Sequence, residues 1–343
     1  MRGLFQKIIS FENFHRAYLN ARKCKRYRGP ILKFGYGLEK NLLALQFELV
    51  NKTYKHGDYR EFIVIDSKKR VIRAAPFRDR VVHNALCNII EPILDKGFIY
   101  DSYACRTGKG THAAVKRLEE FLRSARGIFP ESRIYCLKCD ISKYFDNVDH
   151  ETLISILRRK IDDPDILWLA REIIQSNLKG IPIGNLTSQL FANTYLNELD
   201  HYIKRILRER YYIRYMDDFL ILGPDKKRLI ESRDKIRAFL RDNLKLDLHP
   251  RKTNIFPADK GIDFLGYVIK NGERFLRKST VKRFMKRQMR NWKTVTLNKG
   301  DIAPLRNSYL SFRGYAKFAD SYRLMVKLGM EGEGKLHVID DLL

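Results

Sequence analysis

Two adjacent carboxylates, Asp217 and Asp218, lie between runs of β-branched, aromatic and aliphatic residues that cover 211–215 and 219–222. Such a pattern predicts a tight hairpin with the acids at its tip. Neighbouring carboxylates repel each other, and a divalent metal ion is the usual means of offsetting that repulsion. Asp is also a common turn residue, so a solvated turn is the alternative interpretation.

A second acid follows an apolar run farther upstream. Residues 134–139 are mostly apolar, Asp140 comes next, and a helix-like pattern begins near His150. We therefore expect Asp140 at the carboxyl end of a buried strand, where ligand sites of mixed sheets collect. If this strand neighbours the hairpin, Asp140 and Asp217 converge, and their oxygens favour Mg²⁺ or Mn²⁺ over zinc or copper. Two such ions about 3.5 to 4 Å apart can drive phosphoryl transfer.

The segment Tyr215-Met216-Asp217-Asp218, taken with Asp140 and the aromatic Phe145 five residues after it, resembles the palm of a reverse transcriptase. The resemblance extends from about residue 34 to about residue 328. It implies an α+β right-hand polymerase fold, with fingers, a palm of antiparallel sheet covered by helices, and a helical thumb. It also implies an RNA-directed DNA polymerase that uses two Mg²⁺ ions, or Mn²⁺. The catalytic and metal-binding residues that it implies are Asp140, Ile141, Asp217 and Asp218, with Asp140 and Asp217 as direct ligands and Asp218 in support.

The segment 180–189, Gly-Ile-Pro-Ile-Gly-Asn-Leu-Thr-Ser-Gln, narrows the resemblance. Reverse transcriptases of mobile introns usually carry Gln at the position of Ile183 and Ser-Pro in place of Ser188-Gln189. The form seen here is similar to that of diversity-generating retroelements, which copy a template-repeat RNA with errors at adenines. That family implies an oligomeric accessory variability protein as partner. A retron-like or antiphage reverse transcriptase of ordinary fidelity and a non-catalytic RNA-binding scaffold are the alternatives.

The resemblance also assigns residues to the substrates. Phe145 is the expected steric gate against a 2′-hydroxyl, although a core Phe is the plain alternative. The other residues implied to bind the incoming deoxynucleoside triphosphate are Arg70, Arg80, Ile183, Gly184, Gln189 and Lys252. For the basic residues among them, a solvated turn or surface remains the alternative. The residues implied to hold primer and template are Leu265, Gly266 and Tyr267 in a primer-grip hairpin, with Lys282 and Arg283 in the thumb.

The formal charge of +27 over 343 residues indicates a polyanionic partner, since neutralising phosphates releases counterions. Residues 274–330 hold 15 Lys or Arg against two Asp, in a helical pattern with interleaved aromatics. Such a segment fits a thumb on an RNA/cDNA hybrid, which is read by shape and backbone. We find no apolar run of about 18 residues and no signal peptide, which predicts no membrane association and a cytoplasmic protein. The resemblance implies a bacterial or phage origin.

We predict four segments: a basic N-terminal extension over 1–33, fingers and palm over 34–270, a basic helical thumb over 271–330 and an acidic tail over 331–343. Gly29-Pro30 marks the first boundary. The N-terminal extension is either an RNA-contacting segment or a solvated helix face and linker. Too few residues follow the thumb for a nuclease or maturase domain, so we expect the enzyme to work with partners.

Cys136 and Cys139 form a C-x-x-C pattern, which in other settings indicates metal or redox chemistry. On a strand, however, residues three apart point to opposite faces and cannot hold one ion together. We therefore predict reduced, structural thiols. His83, inside a helical pattern that starts near Val81, is predicted to be packed in the core.

Overall fold

The computed structural model describes residues 3–65, 69–298, 301–328 and 330. The chain forms two compact units. The first comprises Met1–Gly108, Lys138–Leu220 and Ile230–Thr253, and the second comprises Lys109–Leu137, Ile221–Leu229 and Asn254–Leu343. The predicted acidic tail, 331–343, and residues 66–68 lie outside the described residues.

Helices make up most of the described chain. In order they are α1 (Leu4–Ile9), α2 (Phe11–Ala21), α3 (Gly29–Tyr36), α4 (Leu38–Val50), α5 (Phe77–Asp95), α6 (Thr111–Ile128), α7 (Tyr144–Asn147), α8 (His150–Arg158), α9 (Pro164–Gln175), α10 (Leu186–His201), α11 (Lys226–Leu244), α12 (Lys278–Asn298), α13 (Ala303–Ala316) and α14 (Tyr322–Lys327). A π-helical turn, Tyr202–Ile206, extends α10, and a 3₁₀ turn covers Ala258–Lys260.

The strands form three sheets. They are β1 (Arg60–Ile65), β2 (Lys69–Ala74), β3 (Tyr135–Asp140), β4 (Tyr211–Tyr215), β5 (Asp218–Gly223), β6 (Asn254–Pro257), β7 (Ile262–Phe264), β8 (Tyr267–Lys270) and β9 (Glu273–Leu276). Strands β1 and β2 pair alone as an antiparallel hairpin, with Phe62 opposite Ile72. The second sheet has the order β4-β5-β3-β6, so the strand that ends in Asp140 does neighbour the acidic hairpin. The third sheet is β7-β8-β9.

The core of the first unit forms around α5 and α10. Helix α10 is buried on nearly every side, and its polar Asn193 and Asp200 are buried with its apolar residues. Helices α1 and α2 pack on α5, where the Asn13 side-chain amide donates to the carbonyl of Ala85 at 3.0 Å. Gly29 and Pro30 form the first turn of α3, where the missing N–H of proline costs nothing, and the segment boundary placed here stays a prediction. The RNA contacts of residues 1–33 stay a prediction.

The prediction that His83 packs in the core is confirmed. His83 is fully buried in α5, and its ring stacks on that of His56 with 5.2 Å between centroids. Burial, followed by the nearby His56 and Arg80, lowers the pKa of His83 to about 3. Cys136 and Cys139 are both buried free thiols of β3.

The second unit contains the third sheet and the basic helices α12 and α13 that follow it in the chain. Phe284 of α12 and Phe312 of α13 stack with 3.8 Å between ring centroids, which locks these two helices together. The helical pattern predicted from Arg274 onward begins later than expected. Arg274 lies in β9, which pairs with β8, and its guanidinium forks onto the Glu119 carboxylate at 2.6 and 2.7 Å. Among the described residues no helix is long and apolar enough to span a membrane.

Candidate active site

The acidic hairpin forms as predicted, and its turn is strained. Strands β4 and β5 are joined by Met216 and Asp217, and Asp218 begins β5. Met216 has φ of 56°, in the left-handed region that non-glycine residues rarely adopt. A residue held there costs about 1 to 3 kcal/mol, and such residues persist only where the surroundings impose them. The turn therefore depends on its neighbours for its shape.

Backbone hydrogen bonds join Asp140 to this turn. Ile141 donates its N–H to the carbonyl of Asp217 at 3.3 Å. On the other side, the N–H of His249 donates to the carbonyl of Asp140 at 2.7 Å. Two hydrogen bonds therefore fix the main chain here. One joins Asp140 itself to His249, and the other joins the next residue, Ile141, to Asp217. The structure therefore places the backbone at Asp140 next to the turn that carries Asp217, and the convergence of the two carboxylates stays a prediction.

Two lysines accompany the acids of this site. The Lys252 ammonium lies 2.7 Å from Oδ1 of Asp140. The Lys138 ammonium lies 3.7 Å from Oδ2 of Asp218. A cation next to each carboxylate reduces the repulsion between the acids. Lys252, which the sequence associates with the nucleotide, thus lies at the predicted metal-binding residue Asp140.

The donor set suits a hard divalent ion, because Asp140 and Asp217 offer carboxylate oxygens with no soft ligand among them. However, no group of three or more His, Cys, Asp or Glu side chains in the described part of the chain is arranged to hold a metal ion. The two carboxylates, at the ends of neighbouring strands, are ligands of the chemical type that such an ion binds. The roles of Ile141 and Asp218 at the metal stay predictions.

A buried charge network beneath the hairpin was missed by the sequence reasoning. Arg214 of β4 is fully buried and forks onto the equally buried Asp200 of α10, at 2.7 and 2.6 Å. Tyr212 also donates its hydroxyl to Asp200, at 2.6 Å. Burial alone would lower the pKa of Arg214, but the Asp200 carboxylate more than offsets it and the pKa lies above its ordinary value. The sequence feature that could have revealed this network is an arginine inside an apolar strand, because a buried arginine needs a buried partner.

Phe145, the predicted steric gate, is half-buried in α7. Its neighbour Tyr144 is buried and donates its hydroxyl to the carbonyl of Ala192 at 2.6 Å. The N–H of Ile181 donates to the carbonyl of Phe145 at 2.8 Å. A Cβ at Gly180, whose φ is +64°, would lie 2.2 Å from that carbonyl oxygen. Only glycine allows the loop to approach Phe145 so closely.

The next part of this loop is attached to strand β2. The carbonyl of Ile183 accepts from the N–H of Arg73 at 3.1 Å, and the side chain of Ile183 is half-buried. A Cβ at Gly184, with φ of +119°, would lie 2.8 Å from Cγ2 of Ile72. The segment from Ile183 to Gly184 therefore packs closely on β2. Gln189 is half-buried on α10, beyond this loop.

The two arginines predicted to bind triphosphate differ in setting. Arg70 of β2 is exposed. Arg80 lies in α5, and its Nε donates to the carbonyl of Ala75 at 2.8 Å. Burial, followed by the nearby Arg28, lowers the pKa of Arg80. One hydrogen-bond donor of Arg80 is thus already used within the protein, whereas Arg70 extends from the hairpin into solvent.

The predicted primer-grip hairpin forms in the second unit, from β7 and β8. Leu265 and Gly266 make its turn, with φ of 51° and 92°. A Cβ at Gly266 would lie 2.2 Å from the hydroxyl of Tyr315, so this glycine accommodates the protein's own α13. Tyr267 is fully buried and donates its hydroxyl to the carbonyl of Tyr315 at 3.1 Å. Its ring supports the hairpin from inside the protein, and the primer contact implied for Tyr267 stays a prediction.

The thumb residues Lys282 and Arg283 are both exposed on α12. Their exposure is compatible with backbone phosphate contacts, which stay a prediction.

Comparison with known proteins agrees with this geometry. The family model described as "Reverse transcriptase (RNA-dependent DNA polymerase)" matches residues 54–269. Protein YkfC of Escherichia coli K12 is 28% identical over 271 residues, covering 66% of this chain and 70% of that protein. The group II intron-encoded protein LtrA of Lactococcus lactis is 26% identical over 324 residues, covering 73% of this chain and 52% of LtrA. The chain therefore spans about half the length of LtrA.

A solved structure shows the same fold. Telomerase from Candida albicans, in a complex with a fragment of telomeric RNA, superimposes with a TM-score of 0.52 at 12% identity, covering 83% of this chain and 61% of that chain. This likeness and the mixture of helices with antiparallel sheet confirm the predicted α+β right-hand polymerase fold. The chain belongs to the reverse transcriptase family of RNA-directed DNA polymerases. Enzymes of this family typically use divalent metal ions.

Proposed function

We propose that this protein copies an RNA template into cDNA through the site formed by Asp140 and Asp217. The observation that carries the proposal is the contact between the end of β3 and the acidic turn, where Ile141 bonds the carbonyl of Asp217. The family match fixes the class of reaction. A non-catalytic scaffold, the alternative, has no use for repelling acids held side by side.

In this reaction the primer 3′-oxygen forms a bond to the α-phosphorus of a deoxynucleoside triphosphate, and the bond to the β-phosphate breaks to release pyrophosphate. Asp140 and Asp217 would hold two Mg²⁺ ions, which when bound lower the pKa of the 3′-hydroxyl and stabilise the leaving pyrophosphate. Arg70 reaches from β2 toward the triphosphate as a forked donor. Phe145 excludes a ribose 2′-hydroxyl by contact.

We further propose that the enzyme is of the diversity-generating type and misincorporates opposite template adenines. The support is Ile183, whose half-buried side chain offers shape but no hydrogen bond in a loop packed on β2. Selection by apolar contact alone is limited to about 1 to 3 kcal/mol, which is compatible with low fidelity. This proposal includes a template-repeat RNA and an oligomeric accessory protein as partners.

The test is cDNA synthesis by the purified protein with Mg²⁺ on a defined RNA template, followed by sequencing of the products. We expect errors concentrated opposite adenines. Accurate cDNA would retain the polymerase and favour the retron-like alternative. Failure to make cDNA even with the native RNA and accessory protein added would refute the polymerase proposal.

The substitution Ile183→Gln tests the residue assigned to low fidelity. We expect errors opposite adenine to fall by about fivefold, because a side-chain amide adds roughly 1 kcal/mol of hydrogen-bond discrimination to the pocket. Ile183→Leu is the matched control and should keep the error spectrum. An unchanged spectrum in the Gln variant would remove Ile183 from the explanation.

A further inference from the structure

The network around Arg214 lies directly beneath the acidic turn. An arginine and an aspartate that are both fully buried carry a large desolvation cost, which forked hydrogen bonds offset only with good geometry. Arg214 and Asp200 meet that condition through two bonds of 2.7 and 2.6 Å. A polymerase core has no need for such a pair on stability grounds, because apolar residues of similar size are often as stable.

The remaining donors of Arg214 connect this pair to the turn. Nη1 of Arg214 donates to the backbone carbonyl of Met216 at 3.1 Å and to Oδ1 of Asn193 at 3.2 Å. Met216 is the residue held at φ of 56°, and Asp217 follows it directly. The peptide whose carbonyl Arg214 binds is therefore the one that leads into Asp217.

Arg214 is itself fixed from several directions. Its backbone N–H donates to the carbonyl of Asp101 at 2.9 Å, and its carbonyl accepts from the N–H of Tyr103 at 3.0 Å. Asn193 donates its side-chain amide to the carbonyl of Ala104 at 2.8 Å. The guanidinium is consequently a rigid donor, positioned by α10 and by the segment from Asp101 to Ala104, and it leaves the Met216 peptide little freedom to rotate.

We propose that Arg214 is a positioning residue of the polymerase site, which sets the backbone of Met216 and through it the orientation of the Asp217 carboxylate. The proposal rests on the proposed function for its catalytic consequence. Asp200, Tyr212 and Asn193 hold the guanidinium in place. The strain at Met216 is compensated by this bond, so the turn relaxes when the bond is lost.

The experiment separates positioning from stability. In Arg214→Met alone, Asp200 is left buried and unpaired, so the fold itself is expected to weaken. The combined variant Arg214→Met, Asp200→Leu and Tyr212→Phe replaces the charges and the hydroxyl with apolar groups, which restores the thermal midpoint close to the wild-type value. It still lacks the bond to Met216. We expect its kcat to fall by about 10- to 100-fold, because a displacement of about 1 Å at a catalytic group costs that much.

Three further measurements make the test specific. The KM for the deoxynucleotide should change less than threefold, and the affinity for Mn²⁺, measured by electron paramagnetic resonance on the protein alone, should weaken at least severalfold. Arg133→Met is the control, because Arg133 also forks onto an aspartate, Asp259, at 3.1 and 2.8 Å, just before β3 and so at the end of that strand opposite to Asp140. Its folded fraction should keep the wild-type kcat and Mn²⁺ affinity.

The inference is overturned if the combined variant folds with wild-type kcat and Mn²⁺ affinity. If that variant does not fold, Arg214→Lys replaces it: one ammonium can pair with Asp200 but cannot fork onto it and bind Met216 together. Wild-type kcat and Mn²⁺ affinity in Arg214→Lys would likewise overturn the inference. If the wild-type protein makes no cDNA, the proposed function fails, while the Mn²⁺ comparison still decides the role of Arg214.

Discussion

Replacing Gly180 with alanine tests how closely the loop that carries Ile183 approaches the predicted steric gate. The added Cβ would lie 2.2 Å from the carbonyl oxygen of Phe145 and 2.6 Å from the carbonyl carbon of Asp146. Both contacts are with backbone, which cannot move aside as a flexible side chain can. The loop must therefore shift away, and the bond from the Ile181 N–H to Phe145, 2.8 Å long, must lengthen or break.

Three costs add in this variant. An L-residue at φ of +64° costs about 1 to 2 kcal/mol. Overpacking against fixed atoms costs about 1 to 3 kcal/mol. Loss of a backbone hydrogen bond adds about 0.5 to 1.5 kcal/mol. We expect the free energy of unfolding to fall by roughly 3 to 6 kcal/mol.

Gly108→Ala is the matched control, because Gly108 has a similar φ of +73° and no atom within 4 Å of its added Cβ. It carries the backbone cost alone, about 1 to 2 kcal/mol. Urea unfolding followed by circular dichroism measures both variants. A loss in Gly180→Ala within 1 kcal/mol of that in Gly108→Ala would refute the close approach of this loop to Phe145.

Three other predictions concern the site and the core. Asp140→Asn should abolish cDNA synthesis while RNA binding, followed by filter retention, stays near wild type; Asp146→Asn, at an exposed position of α7, should keep both activities. Phe145→Ala should raise the incorporation of ribonucleotides relative to deoxynucleotides, and an unchanged ratio in primer extension would exclude the gate. His83 has its pKa lowered to about 3, so below its ordinary value of 6.5 the unfolded chain takes up a proton that the folded protein does not. The free energy of unfolding should therefore fall by about 2 kcal/mol between pH 7.5 and pH 5. His83→Leu should remove this pH-dependent loss, whereas His15→Leu, at an exposed position, should keep it.

The acidic hairpin and the strand before Asp140 could be predicted because their signals are local. Alternating or continuous apolar runs ending in acids specify strands and turns over a few residues, and β3, β4 and β5 follow those runs. The hairpins β1–β2 and β7–β8 were predictable for the same reason. The start of β9 could not be predicted, because no feature of residues 273–276 distinguishes them in the sequence from the basic helical pattern that follows.

The partners of the acids could not be read from the sequence. Lys252 is 112 residues from Asp140 along the chain, and only folding brings the two charges to 2.7 Å. The same holds for Gly180, whose need for glycine comes from the distant carbonyl of Phe145.

The sequence by itself determined the family, the positions of the acids at strand ends and a charge that requires a polyanion. Tertiary structure alone decided that Arg214 bonds the peptide before Asp217, and that the Tyr267 ring packs inside the protein. The physical reason is that a strand or a turn is encoded by neighbouring residues. The partner of a buried charge or ring is chosen by how distant segments pack.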